Sequence, residues 1–94
     1  MNNQQQQIQI KAKDENLKGV YSNFMQVAHT KEEFILDFFL VVPPNGTLNS
    51  RVVTNPSFLK RMVVALQDNI KKYEEKFGNI EEGVEPETKL GFNN

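Results

Sequence analysis

Glu33-Phe-Ile-Leu-Asp-Phe-Phe-Leu-Val-Val42 is the most apolar stretch of this chain. Read at a period of two, Phe34, Leu36, Phe38, Leu40 and Val42 form one continuous apolar face. Ile35, Phe39 and Val41 dominate the other face, interrupted by Glu33 and Asp37. Aromatic and β-branched residues in this density favour a strand over a helix. A strand that is apolar on both sides belongs at the centre of a sheet with both faces covered. His29-Thr-Lys-Glu32 precedes it as a short polar turn. Pro43-Pro-Asn-Gly-Thr-Leu-Asn-Ser50 follows it, and the absent proline N–H groups together with the Asn45-Gly46 turn dipeptide predict a loop over 43–50.

Working outward, Val20 to His29 alternates again, with Val20, Ser22, Phe24, Gln26 and Ala28 on one side and Tyr21, Asn23, Met25, Val27 and His29 on the other. Gln7 to Ala12 places Ile8, Ile10 and Ala12 on one face and predicts an edge strand. The charged segment Lys13 to Gly19 then reads as a hairpin loop. Arg51 to Thr54 predicts a short fourth strand. After it, Asn55 has the chemistry of an N-cap and Pro56 suits the first helical position. Phe58, Leu59, Met62, Val63, Leu66, Ile70, Tyr73 and Phe77 recur at spacings of three and four, and Gly78 supplies a stop. The expected fold is therefore α+β: a four-stranded antiparallel meander followed by one long C-terminal amphipathic helix, ββββα. The expected organisation is a disordered polar N-terminus over 1–6, a single domain over 7–78, and an acidic, mostly disordered tail over 79–94.

A chain of 94 residues holds one hydrophobic core at most. It has no Cys and one His, so disulfides, thiolate nucleophiles and His- or Cys-rich metal sites are excluded. Residues 1–78 carry ten Lys and Arg against eight Asp and Glu, a net +2. Residues 79–94 carry Lys89 against four Glu, a net −3. Neither total makes a strong field for nucleic acid. The longest apolar run, Phe38 to Pro44, is far short of the roughly 20 residues of a membrane helix, so no membrane partner is expected. The polar start lacks the pattern of a signal peptide, and a cytoplasmic location is expected.

Asp37 is the residue most at odds with its surroundings. It reads either as a buried acid or metal ligand, or as a carboxylate paired across strands, with Arg51 or Asn23 as partner. The paired reading is preferred because an unpaired buried charge is costly. His29, Glu32 and Glu33 read as a solvated turn cluster rather than a metal site, because ligands must converge. Tyr21 and Asn23 read as packing and backbone satisfaction rather than a ligand pocket. Lys60, Arg61, Lys71, Lys72 and Lys76 line the helix and are the residues that would touch phosphates, but Asp68, Glu74 and Glu75 interrupt them. No nucleotide-binding glycine pattern and no serine–histidine spacing is present, so no catalytic residue and no cofactor are assigned.

Gly19-Val-Tyr-Ser-Asn23, His29-Thr-Lys-Glu-Glu-Phe34 with Ile35-Leu-Asp-Phe38, Arg51-Val-Val-Thr-Asn-Pro56 and Asn69-Ile-Lys-Lys-Tyr-Glu-Glu-Lys-Phe-Gly78 stand in this order along the chain. Together, over roughly residues 7 to 80, they resemble the uncharacterised prokaryotic family catalogued as domain of unknown function number 3467. The resemblance implies a shared fold and surface and carries over no activity.

One helix covers one face of a sheet, so the second face needs another cover. Tyr21, Met25, Val27, Ile35, Asp37, Phe39 and Val41 are the candidate residues of a homo-oligomer interface, with a dimer first. The expected function is a small non-catalytic cytoplasmic interaction module with an unidentified protein partner. Nucleic-acid association or regulation through the basic helix face is the alternative. Because the tail has no apolar periodicity, truncation after Asn79 is expected to leave the thermal melting temperature nearly unchanged, and a large drop would show that the removed residues dock on the body.

Overall fold

The computed structural model describes residues 6–83, 90 and 91. The elements are α1 (Asp14–Lys18), β1 (Phe24–His29), β2 (Phe34–Val42), β3 (Asn45–Thr54) and α2 (Pro56–Phe77). The three strands form one antiparallel sheet in the order β1-β2-β3, with the apolar stretch at its centre. The chain divides into two compact units, Met1–Pro56 and Ser57–Asn94, each described by itself. The disorder expected over residues 1–5, 84–89 and 92–94 lies outside the described residues.

The structure is an α+β chain with three strands rather than four. Gln7–Ala12 forms no strand. Its alternation provides one apolar face but no partner edge, and Ile8 and Ile10 remain exposed. The expected hairpin loop Lys13–Gly19 instead closes a short helical turn, α1, in which Asn16 N and Leu17 N donate to Lys13 O at 3.0 and 3.2 Å. Asp14 and Glu15 at its start and Lys18 at its end suit the helix dipole, and Gly19 ends it at φ 71°. The second predicted strand also shortens, because Val20 to Asn23 lies outside the ladder and β1 starts at Phe24.

The turn after β2 falls at Pro43-Pro44 and not at Asn45-Gly46. Both prolines lack the N–H a ladder requires, so the chain reverses on them. Asn45 and Gly46 then pair with Val42 and Val41, and β3 runs on to Thr54 instead of beginning at Arg51. The register shifts between Phe38 and Phe39: Phe38 faces Ser50 and Phe39 faces Leu48, which leaves Asn49 as the extra residue of a bulge. Between β1 and β2, Thr30 closes the turn. Its N–H donates to Glu33 O at 2.9 Å, and its Oγ1 accepts from the N–H groups of Glu32 and Glu33 at 3.2 Å.

Taken by itself, α2 has 22 residues and the predicted bounds, about 33 Å of helix. Gly78 stands at φ 95° and donates its N–H to Glu74 O at 2.9 Å, a left-handed C-terminal stop. The Glu74 carboxylate also accepts from Ile80 N at 2.9 Å. Left-handed backbone costs a side-chain-bearing residue roughly 1–2 kcal/mol. Gly78→Val is therefore expected to destabilise α2 by about that amount, seen as a lower thermal midpoint of the helical circular dichroism signal, and an unchanged midpoint would contradict the stop.

Candidate functional site

The register brings Asp37 on β2 directly opposite Arg51 on β3. Arg51 Nε donates to Asp37 Oδ1 at 2.7 Å and Nη2 donates to Oδ2 at 2.8 Å, a two-pronged charged pair. Asp37 is 8% exposed, whereas the Arg51 side chain is 55% exposed. The hydrogen bonds from Arg51 hold the Asp37 carboxyl below its ordinary value of 3.8, partly opposed by desolvation and assisted by the arginine charge. The Arg51 guanidinium is raised in turn by its bonds to Asp37. With both oxygens engaged, Asp37 is a weak base held as an anion.

Residues at matched register positions share a face, so the surroundings of this pair follow from the pairing. Phe24, Gln26 and Ala28 of β1, Ile35, Phe39 and Val41 of β2, and Leu48 and Val53 of β3 lie on the Asp37 face. Phe24 and Phe39 meet edge to face, ring centroids 6.1 Å apart at 70°. Of the apolar residues described, only Leu36 and Phe39 are buried, each 4% exposed. Val53, next to the ion pair, is 50% exposed and Leu48 is also exposed.

The structure divides the seven candidate interface residues. Ile35, Asp37, Phe39 and Val41 stand together. Met25 and Val27 pair with Phe38 and Leu36 and stand on the opposite face, because Phe24, not Met25, is the partner of Phe39. Tyr21 precedes β1 and is exposed, its carbonyl accepting from Asn49 Nδ2 at 2.6 Å. Asn23 satisfies backbone as expected: its Nδ2 donates to Val41 O at 2.9 Å, and its Oδ1 accepts from Val41 N at 2.8 Å. The side-chain amide thus continues the β1–β2 ladder where the backbone leaves it. Phe39 O accepts from Asn23 N at 3.0 Å and from Ser22 Oγ at 2.9 Å. An open depression of about 600 Å³ at the start of β1 is lined by residues 20–25 and Phe38.

The sequence reading omits Phe24, Leu48 and Val53 from this face. Phe24 stands on one face of its predicted strand, but the register that sets it opposite Phe39 is not readable there. Leu48 falls in the segment taken for a loop. The available signal was the alternation Thr47-Leu-Asn that follows the two prolines.

His29 stacks on Phe34, ring centroids 5.3 Å apart, and Glu32 and Glu33 belong to the Thr30 turn. Among the described residues no three His, Cys, Asp or Glu side chains come together as metal ligands. At 3.6 residues per turn, Lys60 and Lys71 fall on one side of α2 and Arg61, Lys72 and Lys76 on another, so the five do not make one stripe. Arg61 lies over the Phe58 ring at 5.5 Å and Lys76 over Phe77 at 5.2 Å.

The family described as "Protein of unknown function (DUF3467)" matches residues 1–82, and this chain belongs to it. The match takes in the Gln-rich start, which the sequence resemblance leaves outside. No curated protein and no solved structure matches the chain. Among the described residues no helix is long and apolar enough to cross a membrane.

An aspartate that ionises more easily in the folded chain stabilises the fold fully above its unfolded value, and this contribution disappears as pH falls through the lowered folded value. Asp37→Asn is expected to lower the urea midpoint at neutral pH and to flatten its decline as pH falls through and below the ordinary aspartate value. An acid decline identical to that of the parent would show that the pair does not contribute.

Proposed function

We propose that this chain is a small, non-catalytic, cytoplasmic protein-interaction module that works as a homo-oligomer, a dimer in the first instance. One observation carries the reading: the sheet leaves Met25 and Val27 exposed on one face and Leu48 and Val53 exposed on the other, with only two apolar side chains buried among the described residues. Exposed apolar surface on this scale marks a contact surface. The Asp37 face is the better contact candidate of the two. It carries an aromatic pair and an arginine whose outer donors remain accessible, and interface cores are enriched in aromatic residues and arginine.

Catalysis and nucleic-acid binding receive less support. The perturbed carboxylate of Asp37 is consumed by its ion pair, and the helix cations are divided between two sides. Light scattering at micromolar concentration is expected to return a mass above that of one chain. Phe39 is already buried, 4% exposed, so a charge there would test folding as well as assembly. Val53→Lys is the sharper probe, since the residue is half exposed beside Arg51. It is expected to reduce the assembled mass while leaving the strand signal in circular dichroism intact. A parent protein of single-chain mass would overturn the homo-oligomer reading.

A further inference from the structure

The apolar stripe of α2 has a finer order than amphipathicity. Leu59, Val63, Leu66, Ile70, Tyr73 and Phe77 follow one another at 4, 3, 4, 3 and 4 residues. This is the alternation of heptad core positions, with Val63, Ile70 and Phe77 at a and Leu59, Leu66 and Tyr73 at d. The seam runs unbroken from Leu59 to Phe77, 19 residues spanning about 27 Å of helix. Along it Leu66 is 56% exposed and Phe77 is 65% exposed, and Val63, Ile70 and Tyr73 are exposed as well. A period of 3.5 is what a helix needs to keep one seam against a second, supercoiled helix.

We propose that α2 pairs with α2 of a second copy as an antiparallel two-stranded coiled coil. The proposal rests on the homo-oligomer reading and adds a helix contact to the one proposed for the sheet face. The charges flanking the seam decide the orientation. Lys60, Gln67 and Glu74 occupy the e positions. In an antiparallel pair, e faces e, so Lys60 meets Glu74 of the second copy and Glu74 meets its Lys60, with Gln67 near the two-fold axis. A parallel pair faces e against g. It sets Gln67 against Met62 and Glu74 against Asn69, and gains no opposite charges within α2.

The core layers point the same way. The antiparallel register pairs Leu59 with Phe77, Val63 with Tyr73 and Leu66 with Ile70, so a larger side chain meets a smaller one at the outer layers. The parallel register stacks Phe77 on Phe77 and Tyr73 on Tyr73, and aligns the two helix dipoles. Val63 and Ile70 at a would also suit a parallel pair, but charge and layer volume both favour the antiparallel one. The Glu74 oxygen that accepts from Ile80 N leaves its second oxygen for lysine.

The chain has no cysteine, so an engineered disulfide reports only the introduced pair. Val63→Cys mixed with Tyr73→Cys under mild oxidation is expected to give the mixed disulfide dimer, whereas Val63→Cys alone stays uncrosslinked. The partner sulfurs must come within bonding reach, and in the antiparallel register position 63 of one copy lies several turns from position 63 of the other. Because core cysteines can weaken folding, an exposed charge reversal supplies a second measurement. Lys60→Glu is expected to weaken the dimer roughly tenfold in sedimentation equilibrium, and mixing it with Glu74→Lys is expected to recover much of the loss. Crosslinking of Val63→Cys with itself, or no response to Lys60→Glu, would overturn the antiparallel pairing. An oligomeric mass with no mixed crosslink would overturn the helix contact and leave the homo-oligomer reading standing, whereas a single-chain mass would remove both.

Discussion

An aspartate in the middle of Phe34-Ile-Leu-Asp-Phe-Phe39 sets the condition that the rest of the sheet meets. A carboxylate nearly removed from water is tolerated only with a counter-charge and full hydrogen bonding. Arg51 supplies both through two bonds, 2.7 and 2.8 Å long, from the facing position of β3. A one-residue slip of β3 would carry the guanidinium to the other face and leave Asp37 alone. The pair thus works less as net stabilisation than as a marker of register, a use in which buried ion pairs are best attested.

Around this fixed point, short polar side chains make the bonds that backbone leaves unmade. The bulge at Asn49 lets β3 keep Arg51 opposite Asp37 while also presenting Leu48 to Phe39. Asn49 then reaches the carbonyl of Tyr21, and Asn23 brackets Val41 from both sides of its amide. These bonds tie the segment before β1 to both other strands, so a three-stranded sheet with two buried apolar residues holds its entrance in place. The same bonds engage the Asn23 side-chain amide and the Tyr21 carbonyl within the sheet.

The parts legible in the sequence are those fixed by one segment's own pattern. The central strand and both ends of α2 follow from alternation, three-four spacing, Pro56 and Gly78. Asp37 was legible as a carboxylate needing Arg51 or Asn23. What was not legible depends on pairing. Asn45-Gly46 is a good turn in isolation, yet the two prolines before it have no ladder N–H to give, and the turn forms there. The face shared by Phe24, Phe39 and Leu48 needs the register of three strands and one bulge, and no single segment carries it. The alternation at Ile8 and Ile10 shows the reverse failure, a strand pattern with no edge to join.

A sheet of three strands with so little buried apolar surface is close to the lower limit of independent stability. Whatever binds its folded form adds to that stability by mass action. In the proposed assembly, folding and association are therefore one coupled equilibrium: α2 brings two chains together, and the raised local concentration favours any further contact between their sheets. The Asp37–Arg51 pair matters in this coupling because it defines the sheet surface before a partner arrives. A partner then meets an ordered face, with Val53 and the outer donors of Arg51 already positioned, and the ordering of that face does not fall on the binding step.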